Sequence, residues 1–119
     1  MNVAILGISS NPTRYAYRAA QRLLEKGHSV FGINPKLPKL EHVTVVAQVS
    51  ELPANVHTLS VYVSPEKSLG LLAAIAQYGF SRVIFNPGSE QPALARELAQ
   101  AGVEVVEACT LVMLSTGRF

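Results

Sequence analysis

VAILGISSNPTRYAYRAAQRLLEKGHSVFGINPK, residues 3–36, is the stretch from which the fold is read. Val3 to Leu6 form a short apolar run that ends at Gly7, and a polar turn follows over Ser9-Ser10-Asn11-Pro12-Thr13-Arg14. Ala16, Ala19, Ala20, Leu23 and Leu24 then recur at helical spacing and share one face. Gly27 closes the helix, and a second apolar run, Val30-Phe31-Gly32-Ile33, leads to Asn34-Pro35-Lys36. The pattern is strand, glycine turn, helix, strand. Its turn is the natural place for an anion, because the unpaired N–H groups of a helix start point outward and the helix dipole favours negative charge.

The same unit recurs along the chain. Gly27, Gly79 and Gly102 each end a helical stretch and precede an apolar run, at Ser29–Ile33, Arg82–Phe85 and Val103–Val106. Val43–Val46 reads as a short edge strand, and Thr58–Val63 as a strand after an irregular middle. Ser64-Pro65 opens a further helix, with serine at the cap and proline in the first turn, and Leu69, Leu72, Ala73 and Ala76 as its predicted buried stripe. A fourth helix begins at Ser89 or Gln91, with Leu94, Ala95, Leu98 and Ala99 inward, and the tail from Thr110 to Phe119 reads as a short helix on the sheet edge. Strands are expected at 3–7, 29–33, 43–46, 58–63, 81–85 and 103–107. Right-handed crossovers from a central first strand give a three-layer α/β fold, a Rossmann-like doubly wound parallel sheet in the order 3-2-1-4-5-6 with a short third strand.

Composition narrows the chemistry. The 119 residues fit one domain, spanning 1–119, and 49% apolar with 15% charged residues fits a globular chain. A net charge of +2 without a basic run argues against nucleic acid. No apolar stretch approaches the roughly 20 residues of a membrane helix. With one cysteine, Cys109, and no secretory pattern, the expected compartment is the cytoplasm. The chain has no aspartate, so paired-carboxylate catalysis and carboxylate-rich metal sites are hard to build. His28, His42 and His57 show no metal-ligand spacing, and none is placed by sequence as a base for Cys109, the only plausible nucleophile.

Ligands of open parallel sheets bind at the carboxyl ends of the strands, where the strand order reverses. Five segments converge there: Gly7–Arg14, Asn34-Pro35-Lys36, Val63-Ser64-Pro65, Asn86-Pro87-Gly88-Ser89 and Cys109-Thr110. A dinucleotide fingerprint, G-x-G-x-x-G, is reduced here to Gly7 alone, and Asn34-Pro35-Lys36 stands where an acidic residue would bind the ribose of NAD. Lys36 suits an additional phosphate instead.

Residues 3–36 together with YVSP at 62–65, NPGSE at 86–90 and EACTLVML at 107–114 resemble the small coenzyme A-binding proteins. Their domain is shared with the alpha subunit of succinyl-CoA synthetase and with ADP-forming acyl-CoA synthetases. The resemblance covers nearly the whole chain. It implies coenzyme A, or an acyl-CoA, as cofactor, with Gly7, Ile8, Ser9, Ser10, Asn11 and Arg14 around the diphosphate at the start of the first helix. It brings Lys36 to the phosphate at the adenosine end, and Val63, Ser64, Pro65, Pro87 and Gly88 to the adenine or pantetheine. Asn34 and Pro35 shape the strand exit and leave an open edge for adenine. Tyr15 and Tyr17 lie on different helix faces, and Tyr17 is counted with the site as a candidate for stacking on the ligand.

The synthetases carry a phosphorylated histidine in a second domain and an Asn-Cys-Pro-Gly turn. Here there is no second domain, and Ala108 and Thr110 flank Cys109. The expected function is therefore non-catalytic binding of coenzyme A or a short acyl-CoA. The alternatives are an NADP-dependent oxidoreductase and a subunit of an acyl-CoA ligase with a separate partner. A homo-oligomer or a separate partner protein both stay open.

Overall fold

Six strands alternate with helices in the computed structural model, which describes residues 1–119. The strands are β1 (Asn2–Leu6), β2 (Ser29–Ile33), β3 (Thr44–Val46), β4 (Thr58–Val61), β5 (Arg82–Phe85) and β6 (Glu104–Glu107). The helices are α1 (Tyr15–Glu25), α2 (Pro65–Gly70), α3 (Leu72–Tyr78), α4 (Pro92–Gln100) and α5 (Thr110–Ser115), with one 3-10 turn at Val49–Glu51. All strands pair in parallel, in the order β3-β2-β1-β4-β5-β6. The chain steps outward from β1 to β3, then returns to lay β4 on the other side of β1. The order thus reverses between β1 and β4, and this makes the crevice at their carboxyl ends.

Each face of the sheet has its own core. Ala4, Leu6, Leu59, Val61, Val83 and Phe85 pack with Ile75, Leu94 and Leu98 of α3 and α4. Val3, Ile5 and Val30 pack on the other face with Ala16, Ala19, Ala20 and Leu23 of α1 and with Leu114 of α5. β5 is buried along its whole length, as expected for a strand covered on both sides. Each fully buried aliphatic or Phe side chain contributes roughly 1.5–3 kcal/mol by leaving water. The helix-ending glycines Gly27, Gly79 and Gly102 all have φ of +86°.

Three expectations need correction. The helix opened by Ser64 is broken at Leu71, whose amide bonds to Ser68 O at 3.0 Å in place of the residue four back. The inward face also differs from the expected one: Ser68 and Ile75 are buried, while Leu69 and Ala73 are exposed. The tail helix lies beside α1, over the middle of the sheet and not at its edge. Leu114 joins the α1 core, and Thr110 Oγ1 and Ser60 Oγ of β4 are hydrogen-bonded at 2.8 Å. Ala99, expected to face inward, is exposed on α4.

Candidate functional site

Gly7 ends β1 with φ of +91°, and a Cβ placed there would stand 2.9 Å from Val63 Cγ1. Only glycine lets β1 leave the sheet this close to the exit of β4. The next residue, Ile8, turns its side chain inward over Gly32, where a Cβ would meet Ile8 at 2.6 Å. Ile8 is fully buried, so its side chain is an anchor for the loop and only its backbone is placed to face a ligand.

The turn that follows consumes some of its own donors. Asn11 N donates to Ser9 Oγ at 3.0 Å, Thr13 N to Asn11 Oδ1 at 3.0 Å and Arg14 N to Asn11 O at 3.0 Å. Pro12 has no N–H. The first hydrogen bond into α1 is Arg18 N to Arg14 O, and Arg14, at the helix cap, forms no side-chain cap bond. The amides of Tyr15, Ala16 and Tyr17 therefore donate to no protein acceptor, and neither do those of Ile8, Ser9 and Ser10. The electropositive set expected over the whole turn lies at its two ends.

Two hollows open at the carboxyl edge and meet at Gly7 and Asn34. One, of about 400 Å³, lies at the start of α1 and is lined by Gly7, Ile8, Ser9, Arg14, Tyr15, Ala16, Asn34, Tyr62 and Pro87. The other, of about 550 Å³, lies on the opposite face of the sheet. Its walls are Leu6, Ile33, Pro35 and Val63 at the strand ends, Ala47 to Ser50 after β3, and Glu66, Lys67, Gly70, Leu71 and Ala74 on α2 and α3. Asn34 holds the junction: its Nδ2 donates to Ile8 O at 2.8 Å, and its Oδ1 accepts from Lys36 N at 2.9 Å. With both ends of the amide engaged, Asn34 fixes the shape of the crevice.

Of the residues expected at the site, Gly7, Ile8, Ser9, Arg14, Asn34, Pro35, Val63 and Pro87 line a hollow. The others do not. Asn11 spends its side-chain oxygen on Thr13 and shapes the turn. Ser10 and Lys36 are exposed outside both hollows. Ser64 caps α2, its Oγ accepting from Lys67 N, and Pro65 stands at the first helical position. Gly88 N donates to Glu90 Oε1 within its own loop. Tyr17 lies outside as well, and it is Tyr15, about 200° away round α1, that lines the helix-start hollow with the Arg18 guanidinium 5.5 Å from its ring centre.

Sequence reasoning passed over Tyr62, Lys67 and the Gln48–Ser50 segment. The exit of β3 reaches the same edge as the exits of the other parallel strands, which is the signal that locates Gln48–Ser50. Tyr62 continues the face of Ser60 past the end of β4, towards α1. Its hydroxyl is buried without a hydrogen-bond partner. Burial drives its pKa up to about 12, the nearby Thr110 and Ser60 hydroxyls oppose the rise, and Cys109 adds to it. Ser60 and Thr110 bond each other, and Asn86 ties them down by donating to Ser60 Oγ and accepting from Thr110 N. The phenol thus stays protonated at neutral pH as a spare donor.

The arrangement offers free amides and one guanidinium on one side of the sheet, and a larger hollow with apolar walls on the other. It suits an extended ligand with an anionic middle and an apolar end. No group of three His, Cys, Asp or Glu side chains comes together to hold a metal ion.

A family model described as a CoA binding domain matches residues 1–115. The crystal structure of an uncharacterized protein superposes with a TM-score of 0.90 at 37% identity, covering 99% of this chain and 97% of its own. A conserved hypothetical protein from Pyrococcus furiosus gives 0.80 at 32% identity, covering 88% of this chain and 90% of its own. A dinucleotide-forming acetyl-coenzyme A synthetase from Ca. Korarchaeum cryptofilum, solved with phosphate and ADP, shares the fold over 90% of this chain and 25% of its own, with a TM-score of 0.76 at 23% identity. No curated protein matches the sequence.

Proposed function

The chain belongs to the family of CoA binding domains, and from that premise we propose that it holds coenzyme A or a short acyl-CoA across the carboxyl edge and performs no chemistry of its own. The diphosphate lies in the helix-start hollow, against the amides of Tyr15, Ala16 and Tyr17 and the guanidinium of Arg14. The adenosine end crosses the crest at Gly7 and enters the larger hollow, where Lys67 serves the adenosine phosphate and Lys36 stands by at the rim. The observation that carries this reading is the meeting of the two hollows at Gly7 and Asn34, at the point where strand order reverses.

A binding role without catalysis is supported by where the bases lie. His28 and His57 stand just before β2 and β4, at the amino edge, and His42 sits in an exposed turn beside Glu41. Cys109 follows β6 at the opposite edge, away from all of them. A thiol needs a neighbouring base or cation to act as a nucleophile.

Thermal shift with coenzyme A, dephospho-coenzyme A, NAD and NADP tests the reading. Coenzyme A at a hundredfold excess over its Kd is expected to raise Tm by roughly 10 °C, and the dephospho form by less. Stabilisation by NADP without any by coenzyme A would reverse the assignment in favour of an oxidoreductase. Breakdown of acetyl-CoA by the purified protein, followed by chromatography, would contradict the non-catalytic role.

A further inference from the structure

Gly70 is the glycine for which the fold supplies no reason. Of the eight glycines in the chain, six have φ between +72° and +91°, and a Cβ on Gly32 would collide with Ile8. Gly70 has no positive φ, and a Cβ added to it would meet nothing within 4 Å. It ends α2 in helical backbone, where glycine is among the poorest residues for stability. Alanine would fit the space and favour the helix.

What Gly70 faces is the larger hollow. Lys67, Gly70, Leu71 and Ala74 follow helical i, i+3, i+4, i+7 spacing, and all four line it. Pro35 and Val49 bring further apolar surface from the exits of β2 and β3, and Gln48 and Ser50 add polar groups. The missing side chain leaves bare backbone on one wall, a flat patch that a planar group can approach closely.

We propose that the bare backbone at Gly70 is the seat of a planar heteroaromatic base, so that Gly70 sets the shape of the base the site accepts. The inference rests on the coenzyme A reading above, in which that base is adenine. The apolar walls take the faces of the ring, while Gln48 and Ser50 read its polar edge. A side chain at position 70 occupies the volume of the ring without disturbing any protein contact.

Stability and affinity should therefore move in opposite directions. Gly70→Ala and Gly70→Leu replace a poor helix former with good ones, and the melting temperature of the free protein is expected to hold or rise. Titration calorimetry with coenzyme A should show affinity falling a few-fold for Gly70→Ala and about tenfold or more for Gly70→Leu, because overfilling a shaped site is costly. Leu69→Ala, one residue away and outside the hollow, should bind as the wild type does. Wild-type affinity in Gly70→Leu would overturn the proposal. So would a fall in melting temperature that accompanies the loss of affinity, since the glycine would then serve the joint between α2 and α3. Wild-type protein that binds no coenzyme A would remove the coenzyme reading itself and the seat for its base with it, whereas binding that is blind to position 70 removes the seat alone.

Discussion

The two ends of the sheet handle their polar groups in opposite ways. At the amino edge they satisfy one another. Arg82, only 6% exposed, donates from Nε to Thr58 Oγ1 at 3.1 Å and from Nη1 to Phe119 O at 2.7 Å, with its guanidinium 4.4 Å from the Phe119 ring centre. His28 meets the edge of the same ring, and His57 N donates to Asn2 O at 2.9 Å. At the carboxyl edge the amides at both ends of the 8–17 segment and the Tyr62 hydroxyl have no protein partner. Arg22 pairs with Glu25 and the His42 ring contacts Glu41, so Arg14, Lys36 and Lys67 are paired with no carboxylate. The amides of Tyr15, Ala16 and Tyr17 are the open donors of a helix start, while the Tyr62 hydroxyl is enclosed. One end is finished by the chain itself, and the other leaves donors free for an anion.

The sharpest way to break this contrast is to close the open edge. Gly7→Val forces a side chain onto Val63 at positive φ, and a stability loss on the order of 3 kcal/mol is expected in denaturant unfolding, together with loss of the coenzyme A thermal shift. An unchanged unfolding midpoint would show that β1 can leave the sheet by another path. The closed edge should respond in stability alone. Arg82→Ala strips the partners from Thr58 and Phe119 and is expected to cost about 2–3 kcal/mol, while titration with coenzyme A gives an unchanged Kd. Arg14→Ala is the converse: a Tm within about 2 °C of the wild type and coenzyme A affinity weaker by about tenfold, the usual worth of one charge-assisted contact. If Arg14→Ala and Arg82→Ala weakened binding equally, the division between the two ends would fail.

The smallest effect expected is one of pH. Burial first, then the adjacent amino-terminal cation, depress the pKa of His28 below its ordinary 6.5. The unfolded chain then takes up that proton more readily than the folded one, so stability falls as pH drops below about 6.5. A shallow decline in Tm between pH 6.5 and 5, reduced in His28→Asn, is the expected signature. A decline of the same size in both proteins would place the acid sensitivity elsewhere.

The sheet was legible because its evidence is local and repeated. A glycine that ends a helix and an apolar run that follows it occur three times, and right-handed crossovers leave few ways to order the strands. β2 has the expected bounds, and the other strands differ from theirs by only one or two residues at an end. Half of the site was legible for the same reason, since Gly7, Asn34, Val63 and Pro87 stand at strand exits. The rest depends on contacts between distant segments. Nothing in the order Ser9-Ser10-Asn11 says that Ser9 and Asn11 spend their side chains within the turn. Apolar spacing alone does not foretell the break at Leu71, nor that Lys67, Gly70 and Ala74 line the crevice. Tyr62 belongs to the YVSP motif, but its buried hydroxyl emerges only when α5 is laid beside α1.

Chemical-shift mapping of backbone amides during a coenzyme A titration tests the central claim most directly. The largest shifts are expected at Ile8, Ser9 and Ser10 and at Tyr15, Ala16 and Tyr17, with His28, Arg82 and Phe119 silent. Shifts centred on those last three, with the start of α1 unmoved, would contradict it.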